Sequence, residues 1–331
     1  MQVTGDSLDF PIPVQMCLPI TELQRRAEEL EFSELLDQAA QRPKGSMERL
    51  LLVAAFAQSA FHAVGKLKPM VPVMGETYEL VLPEKRLRLL VEMTYLSLQE
   101  ERGIVSWVAE GEQWRLEGED EPKLRFRATS VEMCLNWLDT LTFSDGDVYT
   151  WEKLTTGCAS VSFLNGMAPA FHGTILVQNP GHKQSVTLEF QKRSTWQVLT
   201  SNRGVKDGVR FYLLDVPFLS GSWRSKLVAH MPNGSQWTVF EVNPLPSGPN
   251  RLGLNVRSMQ LNEMTAGLEA RLPPTDTRWR RDLRALEMGA YAEAGRRPHG
   301  QHSRHSHPQH MLRMCRCHPV NAAKSLSLSR L

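Results

Sequence analysis

The chain has 331 residues, of which 41 % are apolar, enough to bury a substantial core, so it is not disordered as a whole. Its net charge of +2 hides an asymmetry: residues 295–331 carry seven Lys/Arg and no acid, leaving 31 cations against 36 acids for residues 1–294. A mildly acidic body with a basic tail excludes any inference from overall pI to the body's partner, and the longest apolar run, Leu50–Ala57, excludes a membrane-spanning helix, which needs roughly 20 residues.

In chain order, Phe10-Pro11-Ile12-Pro13-Val14 is read as an extended arm, because two prolines remove donors and bias their predecessors away from helix. Thr21 followed by Gln24 fits a capping box, and Leu23, Ala27, Leu30 and Leu35 recur at helical spacing, predicting one helix through Ala40. A second helix is predicted from about Ser46. Its run Leu50 to Ala57 is apolar all round, so the helix requires burial on most sides.

From about Glu76 to Ser258 the chain turns to short runs rich in Val, Thr, Leu, Phe and Trp, broken by Gly, Asn, Asp and Pro. Strands are predicted over 86–93, 123–129, 148–153, 174–178, 185–191, 209–214 and 236–242. Turn signals separate them at Ser144-Asp145-Gly146-Asp147, Asn179-Pro180-Gly181 and Pro232-Asn233-Gly234. The acids Glu117, Glu119 and Asp120 read as a solvated turn, and Trp107, Trp114, Trp137, Trp151, Trp223 and Trp237 as half-buried strand positions with no ligand role. The expected fold is mainly β with flanking helices (α+β), built on a large antiparallel sheet curled into a barrel.

A third helix is predicted over Trp279, Leu283 and Leu286, stopping at Gly295 with Pro298 beyond it. The tail after it lacks periodicity and reads as disordered. Its His299, His302, His305, His307, His310 and His318, with Cys315 and Cys317, have a metal-binding composition but no zinc-finger spacing, and no metal is assigned. Its cations suit anionic lipid or nucleic acid, but no aromatic residues are interleaved for base stacking, so no specific nucleic-acid partner is expected. The abrupt change after Ala294 equally suits an altered reading frame or alternative terminus. Five cysteines without a regular framework fit a reducing compartment, and the N-terminus lacks a signal pattern, so a cytoplasmic protein, peripheral at membranes, is expected.

Several strings resemble the lipid-binding domain of the oxysterol-binding protein family, in the family's order. Phe10-Pro-Ile-Pro-Val, Leu23-Gln24-Arg25 and Glu34-Leu35-Leu36-Asp37 are similar to its lid and first helix. Val53-Ala54-Ala55-Phe56-Ala57 and Lys68-Pro69-Met70-Val71-Pro72-Val73-Met74-Gly75-Glu76-Thr77 resemble its second helix and its Lys-Pro-Phe-Asn-Pro-x-x-Gly-Glu-Thr signature. Tyr149-Thr150-Trp151-Glu152-Lys153, Asn243-Pro244-Leu245-Pro246 and Leu272-Pro273-Pro274-Thr275-Asp276 follow. The resemblance spans roughly residues 8–294. It implies a nearly closed barrel enclosing a lipid tunnel, with a lid at 6–20, helices over about 21–66, a barrel over about 76–260, a C-terminal helix over about 278–294 and a separate tail at 295–331.

What the resemblance implies for function is non-enzymatic binding of a sterol or other membrane lipid and its transfer between membranes through transient surface contact. A tunnel burying ~400 Å² of apolar lipid gains about 10 kcal/mol before the costs of association. The family's phosphate site is damaged here: Leu96 and Ser97 stand where the resemblance expects two histidines, Val71 where it expects asparagine, and only Lys68 keeps a phosphate-binding role. Phosphoinositide binding is therefore expected to be impaired. On the tunnel side, Gln58 and Phe61 are the expected lipid contacts, with Ser160 replacing an asparagine and Leu18, Pro19, Ile20 and Thr21 forming the arm over the ligand's polar end. The alternative is a scaffold or regulatory protein that keeps the barrel and has lost transfer, its protein partner unspecified.

Taken without the family, Lys68 would be a solvated surface lysine, Phe56 and Phe61 core packing, and His62 and His172 satisfied structural histidines. No Gly-x-Ser-x-Gly elbow, phosphate-cradling glycine loop, His-Glu-x-x-His or Cys-x-x-Cys occurs, so no catalytic residue and no cofactor is assigned.

Overall fold

Three short helices precede the sheet. Helix α1 (Glu22–Glu29) follows strand β1 (Cys17–Thr21), and Gln24 Oε1 accepts from the Thr21 N–H at 2.9 Å, the expected cap contact. The single helix expected through Ala40 is instead two, because the chain turns at Leu30–Ser33 before α2 (Glu34–Ala40). The turn is held by its own buried acid: Glu31 accepts from Asn243 at 2.7 Å and Asn255 at 2.6 Å and pairs with His62 Nε2 at 2.5 Å. Three partners on distant segments outweigh the local helical periodicity. His62 is thus the structural histidine expected, its Nδ1 lying 2.7 Å from the Ser59 carbonyl.

Helix α3 (Met47–Ser59) is buried continuously from Arg49 to Ser59, as its apolar circumference requires. It starts on Ser46, whose side chain accepts from the Arg49 N–H. Arg49, 2 % exposed, fastens this end to the turn after Phe143 through Asp145 at 2.7 Å and Asp147 at 3.0 Å. That turn needs Gly146, whose φ of +78° lies in the left-handed region. The helix ends at Ser59, short of the expected limit near residue 66.

The computed structural model describes residues 14, 17–62, 68–97, 102–127, 130–152, 159–162, 169–171, 173–190, 218–222, 225–247 and 254–294. They belong to a unit spanning residues 1–297. The tail, the proline-rich part of the arm, the strand expected over 209–214, His172 and Trp223 lie outside the described residues.

After β2 (Lys68–Met70), which pairs in parallel with β1, ten strands build the main sheet. They are β3 (Thr77–Leu82), β4 (Leu87–Ser97), β5 (Arg102–Glu110), β6 (Trp114–Arg127), β7 (Ser130–Phe143), β8 (Val148–Glu152), β9 (Ala159–Ser162), β10 (Pro169–Phe171), β11 (Gly173–Asn179) and β12 (Gln184–Phe190). The lateral order is 12-11-8-7-6-5-4-3, every pairing antiparallel, with β9 joining β7 and β10 off that path. The sheet forms the expected nearly closed barrel: α3 packs against β11 and β12, α1 against β3 and β4, and the edge strands β3 and β12 are not joined to each other. A three-stranded sheet, β13 (Phe218–Gly221), β14 (Lys226–His230) and β15 (Gln236–Glu241), also packs on α3.

Strand β6 corrects the reading of Glu117, Glu119 and Asp120 as a turn. Trp114, Leu116 and Asp120 are buried while Glu117 and Glu119 are exposed, so the acids follow the two-residue period of a strand. Asp120 is tolerated inside because Arg26 of α1 meets it at 2.9 Å. Trp107, Trp114 and Trp151 are likewise buried and not half-buried, while Trp237 is half-buried as expected.

The C-terminal segment is also more broken than expected. Helix α4 (Val256–Gln260) and a 3₁₀ turn at Thr277–Trp279 precede α5 (Arg281–Glu287) and α6 (Tyr291–Ala294). Gly289, at φ +78°, separates the last two. Leu283 and Leu286 are buried as expected, but Trp279 is exposed, its Nε1 donating to the Pro273 carbonyl. Cys17 of β1 packs with Ala285, Leu286 and Ala294 in a small second core, which ties the arm to the C-terminal helices.

Candidate functional site

Register across the sheet places one row of side chains directly opposite one another: Val91, Trp107, Gly118, Asp139, Trp151 and Val177. Laterally paired residues share a face, so this row is a floor. Its glycine is a fitted gap: a Cβ at Gly118 would stand 2.8 Å from Asp139 Oδ1 and 3.1 Å from the Trp107 ring, so the indole and the carboxylate approach one another over it. Helices α1 and α3 supply the roof. Together they wall a pocket lined by Arg26, Glu29, Leu30, Phe56, Ala57, Ala60, Trp107, Leu116, Asp139 and Trp151.

The cavity volume of the pocket is about 10 Å³, room for about one water. Small-ligand sites run from ~300 to ~1,000 Å³, so the pocket as it stands holds no sterol. Its chemistry is mixed. Phe56 and Trp151 meet edge to face with centroids 6.3 Å apart, and the alanines of α3 leave the space that larger side chains would fill. Arg26 pairs with Asp120 and with Glu29 at 2.7 Å. Burial works to lower its pKa, and the carboxylates of Asp120, Glu29 and Asp139 overcome it, so the guanidinium stays charged. The pocket wall itself presents two carboxylates against one cation.

Buried Trp107 Nε1 and Trp151 Nε1 have no hydrogen-bond partner among the described residues. The tryptophan pair was missed because the strand pattern of each gives burial only, while their shared row depends on pairing with residues far apart in sequence.

The sequence-predicted contacts fall in several places. Gln58 is fully buried on α3 and neither of its amide atoms has a partner among the described residues, though it is not part of the pocket wall. Phe61 is buried against Phe190 of β12, ring centroids 5.0 Å apart. Leu18, Pro19, Ile20 and Thr21 are buried in β1, and Asn262 Nδ2 donates to the Pro19 carbonyl at 2.5 Å. Lys68 begins β2 opposite Cys17, and Ser160 lies in β9 opposite Glu132 and Ala170; both side chains are outside the described set. None of these predicted residues lines the pocket of Trp107 and Trp151. No cluster of three or more metal-ligating side chains occurs among the described residues, and no described helix is long and apolar enough to cross a membrane.

Comparison with known proteins gives a consistent picture. The family profile described as oxysterol-binding protein matches residues 2–299. Oxysterol-binding protein-related protein 2B of Arabidopsis thaliana is 32 % identical over 86 % of this chain and 41 % of its own length. Oxysterol-binding protein-related protein 3 of Homo sapiens is 33 % identical over 86 % of this chain and 32 % of its own length. The chain thus spans less than half of either relative. Among solved structures, the Osh1 ORD domain in complex with ergosterol aligns with a TM-score of 0.75 at 28 % identity, covering 88 % of this chain and 73 % of that one. The Osh3 ORD in complex with PI(4)P from Saccharomyces cerevisiae aligns at 0.71 and 25 % identity, covering 88 % and 77 %.

Proposed function

The chain belongs to the oxysterol-binding protein family, and from that premise we propose that it takes up one sterol-like lipid inside the barrel and carries it between membranes. The observation that carries this reading is the pocket between α3 and the inner face of the sheet, walled by Phe56, Ala57, Ala60, Trp107, Leu116 and Trp151. Buried polar groups without partners cost roughly 1–3 kcal/mol each. An interior that keeps Gln58, Trp107 and Trp151 in that state is organised for something other than its own packing. Uptake requires the pocket to widen by displacement of one of its walls. The protein acts in the cytoplasm and touches membranes transiently. Transfer of this kind makes and breaks no covalent bond, so no catalytic group is assigned.

The same family includes a relative whose structure holds PI(4)P. Here Leu96 and Ser97 replace the two expected histidines. A pocket wall with two carboxylates and one guanidinium also disfavours an anionic headgroup, which supports impaired phosphoinositide binding.

A second reading, a transfer-deficient scaffold, is favoured by one observation, the narrowness of the pocket. Mass spectrometry of lipids that copurify with the intact chain, and with the chain lacking residues 295–331, separates the two. The carrier reading predicts one sterol-class lipid per chain in both preparations. A folded protein with no bound lipid in either favours the scaffold.

A further inference from the structure

His62 lies just beyond α3, its side chain is 3 % exposed, and both of its ring nitrogens face oxygen acceptors. Nδ1 stands 2.7 Å from the Ser59 carbonyl and Nε2 stands 2.5 Å from Glu31 Oε2. A carbonyl only accepts, so Nδ1 carries a hydrogen, and a second proton has to lie between Nε2 and the carboxylate for them to approach so closely. Burial works to raise the Glu31 pKa, but hydrogen bonds from His62 and Asn243 and the charges of His62 and Lys85 hold it below its ordinary value. The carboxylate is ionised, and the second proton sits on the imidazole. We propose that this proton is a latch on the pocket roof: while it is held, the turn between α1 and α2 is bound to the end of α3 and the pocket stays shut, and its loss as the pH rises lets the roof open for lipid.

Two wall residues of the pocket flank the contact. Leu30 directly precedes Glu31, and Ala60 stands two residues before His62. Phe32, on the other side of Glu31, meets the His62 ring edge to face with centroids 5.0 Å apart and the Phe240 ring at 5.0 Å. Stripped of its second proton, His62 sets a lone pair against a buried anion, a repulsion that little water screens. Asn255 Nδ2, 3.5 Å from His62 Nε2, donates to Glu31 at 2.6 Å and does not fill that gap. The other charged groups on the elements that meet here are paired: Lys85 with Glu34, Glu28 with Arg25 and Arg257 with Glu84. Of these side chains, an imidazole is the one that gives up a proton near neutral pH. The latch thus holds between the pH at which Glu31 ionises and that at which His62 deprotonates, and it fails above the second. It rests on the carrier reading and adds a control of uptake to it.

The test uses the full chain in a Glu92→Gln background, which removes the other buried group that titrates near neutrality. Between about pH 6 and about pH 8, the initial rate of dehydroergosterol extraction from liposomes is expected to rise about fivefold, and hydrogen-exchange protection of the Glu31 and Ser33 amides to fall about tenfold. Adding His62→Gln, or Glu31→Gln as a second variant, supplies an amide N–H in place of the proton and should make both quantities the same at the two pH values. Protection that does not fall overturns the latch, whether or not sterol is bound, and so does an equal fall in both variants. Protection that falls with no rise in extraction, in a chain that does extract sterol, overturns the control of uptake and leaves the carrier reading standing. No extraction at either pH overturns the carrier reading and the control of uptake together, while the protection measurement still decides whether the proton holds the turn.

Discussion

Arg280 Nη1 stands 2.9 Å from Glu76 Oε2, joining two short motifs across 204 residues of sequence. Glu76 also accepts from Thr277 Oγ1 at 2.6 Å and from the Val73 N–H at 2.8 Å, and the Thr77 N–H donates to the Thr275 carbonyl at 3.0 Å. Gly75-Glu76-Thr77 and Pro274-Thr275-Asp276 are thus one clamp, closing the first strand of the barrel against the C-terminal segment.

Removing one partner of this buried pair strands the other. Arg280→Met leaves Glu76 and Asp282 without their shared cation and is expected to cost about 3–5 kcal/mol in urea unfolding. The double variant with Glu76→Gln recovers part of the loss, because one of the stranded charges is gone. A single-variant loss under ~1 kcal/mol would show that the clamp contributes little.

Glu92 makes stability depend on pH in the direction opposite to most carboxylates. Burial, with Oε2 lacking a partner among the described residues, pushes its pKa up from 4.5 to about 7. The folded state therefore holds the proton more tightly than the unfolded chain, and the associated stability is complete below pH 4.5 and lost as the pH rises through about 7. Glu92→Gln should be more stable than wild type by ~1–3 kcal/mol at pH 8 and indistinguishable from it near pH 4 in matched urea titrations.

Ala60 lines the pocket from the end of α3, where Phe would occupy the space a ligand needs. Ala60→Phe is expected to cut sterol uptake from liposomes more than tenfold, while overpacking costs about 1–3 kcal/mol of stability and leaves the far-ultraviolet circular dichroism unchanged. Uptake equal to wild type in a folded variant would place the cargo elsewhere.

Because the pocket wall carries Glu29 and Asp139 against Arg26 alone, and Leu96-Ser97 offers no cation, phosphatidylinositol 4-phosphate should not compete with sterol. Adding it to donor liposomes at a mole fraction equal to that of the fluorescent sterol is expected to change the extracted sterol less than twofold. Displacement of most of the sterol would contradict the impaired phosphate site.

The fold was legible where a local pattern dictates burial. Leu50 to Ala57 could only be a buried helix, and Ser144-Asp145-Gly146-Asp147 could only be a turn, with Gly146 at φ +78°. Contacts distant in sequence decided the rest. Helix α1 stops before Phe32 because Glu31 is satisfied by His62, Asn243 and Asn255, and no local spacing announces those partners. The stretch of β6 around Glu117–Asp120 reads as a turn because Asp120 looks solvated until Arg26 is brought to it, whereas the strand expected from Lys123 lies in the same β6. Of the candidate site, Gln58 on α3 and Phe61 just beyond its end lie outside the pocket wall, whereas the Trp107–Asp139–Trp151 row exists only through sheet register.

Extraction of dehydroergosterol from liposomes by the intact chain tests the carrier account most directly. One sterol per chain at saturation, withdrawn from the membrane and recovered with the protein, is the predicted result. A folded chain that extracts none, at any protein concentration tried, would contradict it.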